Sequence, residues 1–170
     1  SRGLGDVYKR QPHGSRDNLP VMFWIHGGGN TSGHKDFYNF SELVKRKDVI
    51  VVSPNYRLGP LGFFTHPAIQ DYHSGIDKTS NFGILDLVLA LKWVNENIAS
   101  FGGDPNNITI FGESAGGHNV LSLLVTQQAK GLFHKAISQS GYTKSSSLQN
   151  AYKSENFNQE GISDSWTVLN

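Results

Sequence analysis

The sequence predicts an α/β fold built on a parallel sheet, and three observations carry that expectation. Short apolar or β-branched runs, Val21–Ile25, Val49–Val52 and Ile108–Phe111, read as strands. A broad apolar stripe over Leu85–Ile98 reads as a helix largely buried against a sheet. Glycine-rich segments follow the first and third runs, where a strand must hand over to a loop or a helix. Strands that alternate with helices favour β-α-β units with right-handed crossovers.

Taken in order, Val21–Ile25 is preceded by Pro20 and stopped by Gly27-Gly28-Gly29. Phe37–Lys47 is expected to be helical, with Phe40, Leu43 and Val44 at helical spacing and Lys45-Arg46-Lys47 complementing the dipole of its last turn. Val49–Val52 does not alternate, so it reads as a strand covered on both faces. The turn-rich segment Pro54–Gly62 follows. In Leu85–Ile98, Leu87, Leu91, Val94 and Ile98 form one stripe, with Leu85, Leu89 and Trp93 beside it. Gly102-Gly103-Asp104-Pro105 breaks the chain before Ile108–Phe111. A further helix is expected near Gly117–Thr126, and Ala136-Ile137 suggests a fourth strand.

Composition narrows the function. The chain has 170 residues, 15 of them basic and 14 acidic, for a formal net charge of +1. That balance offers no clustered positive charge for nucleic acid or an anionic membrane surface. Charged residues make up only 17% of the chain and glycine occurs 19 times, which suits a buried fold whose backbone turns tightly. With no Cys, a disulfide scaffold, a thiolate metal site and a cysteine nucleophile are excluded. No run approaches the ~18 apolar residues of a membrane span. At the start, Asp6–Gln11 resembles the translated end of a sequencing-library adapter, so Ser1–Gln11 is read as an assembly scar without structure. Residues 12–170 are then a partial domain ending in a polar tail from Ser145 onward, and both ends read as cut from a longer gene.

Two glycine-rich sites point to chemistry. Gly112-Glu113-Ser114-Ala115-Gly116 is a G-x-S-x-G between an expected strand and an expected helix. There the chain reverses sharply and thrusts the serine oxygen out above the sheet. The helix that follows aims free N–H groups at developing negative charge. His26-Gly27-Gly28-Gly29 lies directly after the first strand, and successive glycines let backbone N–H groups curl toward one oxyanion. A phosphate loop is the competing reading and it fails. Gly28 and Gly33 have the right gap, but His34 stands where Lys is required; Ser32 stands where a dinucleotide loop needs its third glycine.

Other candidates read as structural. Asn55-Tyr56-Arg57 suits a turn whose Arg pairs with a carboxylate beneath the site. His26 is expected to hold its loop by hydrogen bonds. His118, four residues after Ser114 on a helix, faces the body of the fold. The sequons at Asn30, Asn39 and Asn107 are discounted.

His26–Gly29, Asn55–Arg57, Ala90–Ile98, Phe101–Pro105 and Phe111–Gly117 together resemble the type B carboxylesterase (cholinesterase-like) family, over about Leu19 to Gly141. The resemblance implies a partial α/β-hydrolase fold, with Ser114 as nucleophile and the N–H groups of Gly28, Gly29 and Ala115 as oxyanion donors. Glu113 would help organise the site. The substrate implied is a small-molecule ester, and no metal or organic cofactor is needed. The family's strand order would run second, first, third, fourth, leaving an unpaired edge at Val49–Val52. Two positions depart from the family pattern: Asn30 where an aromatic is usual, and Asp86-Leu87 for the commoner Asp-Gln. The family's triad acid and histidine lie far downstream of the serine, so they are expected outside this chain, which alone would be inactive. A non-catalytic cholinesterase-like adhesion domain and a lipase or amidase on the same fold are the alternatives.

Overall fold

The computed structural model describes residues 5–8, 18–67, 71–145 and 147. Its strands are β1 (Gly5–Tyr8), β2 (Leu19–Ile25), β3 (Ile50–Pro54), β4 (Gly103–Glu113) and β5 (Lys135–Gln139). They form one sheet in the order β1-β3-β2-β4-β5, parallel throughout except for β1, which is antiparallel to β3. The parallel part therefore has the order expected from the resemblance.

Alternation along β2 builds the two faces of this sheet. Val21, Phe23 and Ile25 point into a core shared with helix α3 (Phe82–Asn97) and helix α4 (Ala115–Val125). Met22 and Trp24 point the other way, into a second cluster with Val51, Phe111 and Val44 of helix α1 (Ser41–Arg46). Every residue of β3 is buried, as its unalternating sequence requires. Along α3 and the turn that follows it the expected stripe holds, since Leu87, Leu91, Val94 and Ile98 are wholly buried. Leu89 does not share it and is 56% exposed, so the apolar band is narrower than the sequence suggests.

Element ends moved where local bonds outweigh periodicity. The helix expected over Phe37–Lys47 is reduced to Ser41–Arg46; Phe40 at its N-cap makes no side-chain cap bond, and ahead of it an Asx turn has Asn39 Oδ1 accepting the Ser41 N–H at 2.9 Å. Tyr38 before it is extended, and its ring meets Trp24 edge-on at 5.2 Å. The short helix α2 (Gly59–Phe63) fills the turn-rich segment and abuts the start of α3. The first turn of α3 includes Gly83, where a Cβ would lie 2.5 Å from the Phe63 ring; close packing, not flexibility, explains this glycine.

One expectation is corrected outright. Ser1–Gln11 was expected to lack structure, yet Gly5–Tyr8 forms a strand with Val7 opposite Val52. Ladder bonds are made by backbone groups, so an open strand edge accepts an extended segment whatever its side chains. The same pairing removes the unpaired edge expected at Val49–Val52. Within the polar tail, residues 146 and 148–170 lie outside the described residues.

Candidate active site

β4 ends at Glu113 and α4 begins at Ala115, so the reversal between them falls on Ser114. Its backbone sits at φ 57° and ψ −122°, a conformation that costs a non-glycine residue on the order of 1–3 kcal/mol. Two glycines make the elbow possible. A Cβ on Gly112 would lie 2.6 Å from the Gly116 carbonyl, and one on Gly116 would collide with the Ile25 carbonyl oxygen. The first turn of α4 is therefore pressed onto the end of β2. The Ser114 N–H donates to the Gln139 carbonyl at 2.9 Å, and the Ser114 carbonyl accepts from the His118 N–H at 2.9 Å. These bonds hold the elbow from both sides. Ser114 itself is half-buried at this elbow.

The loop after β2 covers it. Gly28, Gly29 and Asn30 take successive φ values of 106°, 64° and 58°, a left-handed run open to glycine and tolerated by Asn. The Gly28 carbonyl collects the N–H groups of Thr31 at 3.1 Å and Ser32 at 3.0 Å, together with both hydroxyls. A Cβ on Gly27 would lie 3.3 Å from both Ser114 Cβ and Glu113 Oε2. So the structure brings the glycine loop, Glu113 and Ser114 together. Gly28 and Gly29 come next in that loop, and Ala115 is the first, buried residue of α4.

His26 carries a structural load. Its Nδ1 lies 2.9 Å from the Gly27 carbonyl, which only accepts, so Nδ1 bears the proton. The ring stacks on Tyr56 at 4.4 Å, and Nε2 is buried without a hydrogen-bond partner. Burial pushes the His26 pKa below its ordinary 6.5, against a smaller opposing pull from the Gly27 bond. A depressed histidine pKa means that the unfolded chain binds protons first as pH falls. Stability should therefore be complete above about pH 6.5 and decline below it. Urea unfolding of the wild-type chain and His26→Gln between pH 7.5 and 5 checks this. The wild type should lose more stability than the variant, and parallel curves would refute the assignment.

Arg57 pairs with a carboxylate, as its turn position suggested. Asp86 Oδ2 accepts the Arg57 Nε–H at 2.8 Å and its backbone N–H at 2.9 Å, while Oδ1 accepts the terminal N–H at 2.8 Å. The guanidinium also lies 5.0 Å over the Phe82 ring. Because Arg57 is 49% exposed, solvent screens the charge. Asp86→Ala should cost about 1–2 kcal/mol in urea unfolding, most of it from the unpaired backbone N–H and the lost fork. A loss below about 0.3 kcal/mol would contradict that. Beside it, Leu87 is wholly buried in the core.

The remaining histidines of interest are engaged away from Ser114. His118 stacks on Tyr142 at 4.2 Å with Nδ1 against the Tyr142 carbonyl. His134 accepts the Ile108 N–H through Nδ1 at 3.2 Å at the entry to β5. Two residues escaped the sequence reading. Gln139 anchors the elbow through its carbonyl, which no side-chain pattern reveals. Asn119 is wholly buried among the apolar residues of α4, and a lone amide on that stripe was the available signal. Among the described residues no His, Asp or Glu cluster could hold a metal ion, and no helix is long and apolar enough to cross a membrane.

Known proteins resemble the chain throughout this region. A profile described as "Carboxylesterase family" matches residues 6–161. Para-nitrobenzyl esterase of Bacillus subtilis is 48% identical over 136 residues, covering 79% of this chain and 27% of that protein. Human cocaine esterase is 52% identical over 124 residues, covering 73% of this chain and 21% of its own length. The chain thus spans about a quarter of these relatives. Among solved structures, a thermophilic para-nitrobenzyl esterase superposes with a TM-score of 0.76 at 44% identity, over 88% of this chain and 30% of that one. The sheet and its flanking helices are accordingly part of an α/β-hydrolase fold. On these matches, the chain belongs to the carboxylesterase family.

Proposed function

We propose that residues 12–170 are the nucleophile-bearing part of a serine carboxylic-ester hydrolase acting on small-molecule esters. The observation that carries this reading is Ser114 held at φ 57° on its elbow with the Gly27 loop against it. Ser114 Oγ attacks the ester carbonyl, giving up its proton to a base. The N–H groups of Gly28, Gly29 and Ala115 take the oxyanion, and Glu113 supports the glycine loop. Collapse expels the alcohol, and water then releases the acyl group. This chemistry calls for no metal or organic cofactor.

The base is a histidine outside this chain, and so is the triad acid. His26, His118 and His134 are committed to Gly27, Tyr142 and Ile108, which supports that part of the reading. A non-catalytic adhesion domain would have no use for a strained serine between two sterically required glycines. A lipase or an amidase would use the same residues on another acyl group. The test is hydrolysis of a short-chain nitrophenyl ester by the longer protein encoded by the gene that carries this chain. Activity should be abolished by Ser114→Ala; activity that survives the substitution would overturn the reading.

A further inference from the structure

Asn119 is a buried polar group that the proposed chemistry leaves unused. It is wholly buried on α4, between elements of the main core, where an amide is costly unless its bonds are satisfied. Its bonds run to the loop of the oxyanion glycines. Asn119 Nδ2 donates to Asn30 Oδ1 at 2.8 Å, and Asn30 Nδ2 donates back to Asn119 Oδ1 at 3.3 Å. This amide pair joins two positions 89 residues apart, one on the glycine loop and one on the nucleophile's own helix.

The other end of the loop is held as well. Tyr56 has a single hydroxyl proton and gives it to the His26 carbonyl at 2.7 Å, with a weaker branch to Asn30 Oδ1 at 3.3 Å. The Asn30 carbonyl accepts the Gly59 N–H at 2.6 Å. Gly28 and Gly29 therefore lie between two anchored residues, His26 and Asn30. Without anchors a left-handed glycine run has large backbone freedom. The oxyanion donors come from two elements, the loop and α4, so their convergence depends on how firmly those elements are tied.

We infer that Asn119, with Asn30 and Tyr56, is a positioning clamp that sets the oxyanion donors of the loop against those of the nucleophile helix. The inference rests on the esterase reading for what the donors do, but not for the clamp itself. Two measurements on the 170-residue chain separate them. Hydrogen exchange read by mass spectrometry follows the peptide across His26–Ser32 against the peptides of β2 and β4. Binding of 4-fluorophenylboronic acid, followed by its fluorine resonance, reports the site. There Ser114 Oγ adds to trigonal boron, a B–O bond forms, the hydroxyl proton leaves to solvent, and the tetrahedral boronate places an anionic oxygen on the donors.

Asn119→Ala should raise exchange of the His26–Ser32 peptide about tenfold, leave β4 unchanged, and weaken Ser114-dependent boronate binding about tenfold. Asn30→Gly tolerates the left-handed backbone and leaves the core intact, so it cuts the same link should Asn119→Ala fail to fold. The double variant should be little worse than either single one. Unchanged loop exchange in both single variants, or faster exchange with undiminished boronate binding, would overturn the clamp. Boronate binding that is indifferent to Ser114→Ala would overturn the esterase reading; the exchange measurement would still decide the clamp.

Discussion

Hydrolysis of a short-chain nitrophenyl ester by the 170-residue chain alone is expected to fall on the order of 10⁴–10⁶ below that of a complete enzyme, and Ser114→Ala should not change it. A serine hydroxyl is a weak nucleophile near neutral pH and needs a positioned base to take its proton. His26 cannot supply one. Its protonated Nδ1 is bound to Gly27, its Nε2 is buried, and burial disfavours the imidazolium that taking the serine proton would create. His118 turns away to Tyr142 although it follows Ser114 by one helical turn. His134 is tied to the start of β4's apolar run at Ile108. What remains on the proposed reading is the strained elbow and the donors assigned to the glycine loop and α4. Hydrolysis that approaches a typical esterase rate and is lost on Ser114→Ala would mean that one of these histidines moves to the serine.

Much of this site was legible because glycine spacing is a steric statement. Gly112 and Gly116 flank the elbow for the reason that the motif implies: neither position has room for a Cβ. Ile50–Val52 and the Leu87–Leu91–Val94–Ile98 stripe were legible because burial on both faces, or on one helical face, leaves a repeating trace. The boundaries were harder. β4 runs from Gly103, through Pro105, because its register with β2 is irregular: Leu19 faces Gly103 but Val21 already faces Ile108. Helix α1 begins after an Asx turn at Asn39, which the apolar spacing of Phe40, Leu43 and Val44 does not reveal.

Illegible features were those made by backbone atoms or by pairs distant in sequence. Gly5–Tyr8 pairs through its main chain, and four residues that include one Gly and one Asp carry too short a pattern to announce a strand. The Gln139 carbonyl likewise holds the Ser114 N–H through the main chain. Asn30 and Asn119 read separately as a loop residue and an oddly polar helix residue. Only the fold brings the two amides face to face.

Gly116→Ala should be the most damaging single substitution in the described chain, costing on the order of 4 kcal/mol or more of unfolding free energy. The added Cβ would fall inside the Ile25 carbonyl oxygen and 2.9 Å from the His26 carbonyl oxygen. Neither neighbour can yield cheaply. Ile25 is paired with Gly112 in the centre of the sheet, and the His26 carbonyl holds the Tyr56 hydroxyl at 2.7 Å. Relief would require α4 to lift from β2, which would also carry Ser114 away from the Gly27 loop and open the core around Val120 and Leu123. Gly131→Ala is the control: its φ of 80° strains an alanine, but a Cβ there meets nothing within 4 Å. That change should cost only about 1–2 kcal/mol. Urea unfolding of the two variants beside the wild type decides the matter. Equal losses would mean that the Cβ at position 116 is accommodated as easily as one in open space, and that α4 is not pressed onto β2 as the contacts require.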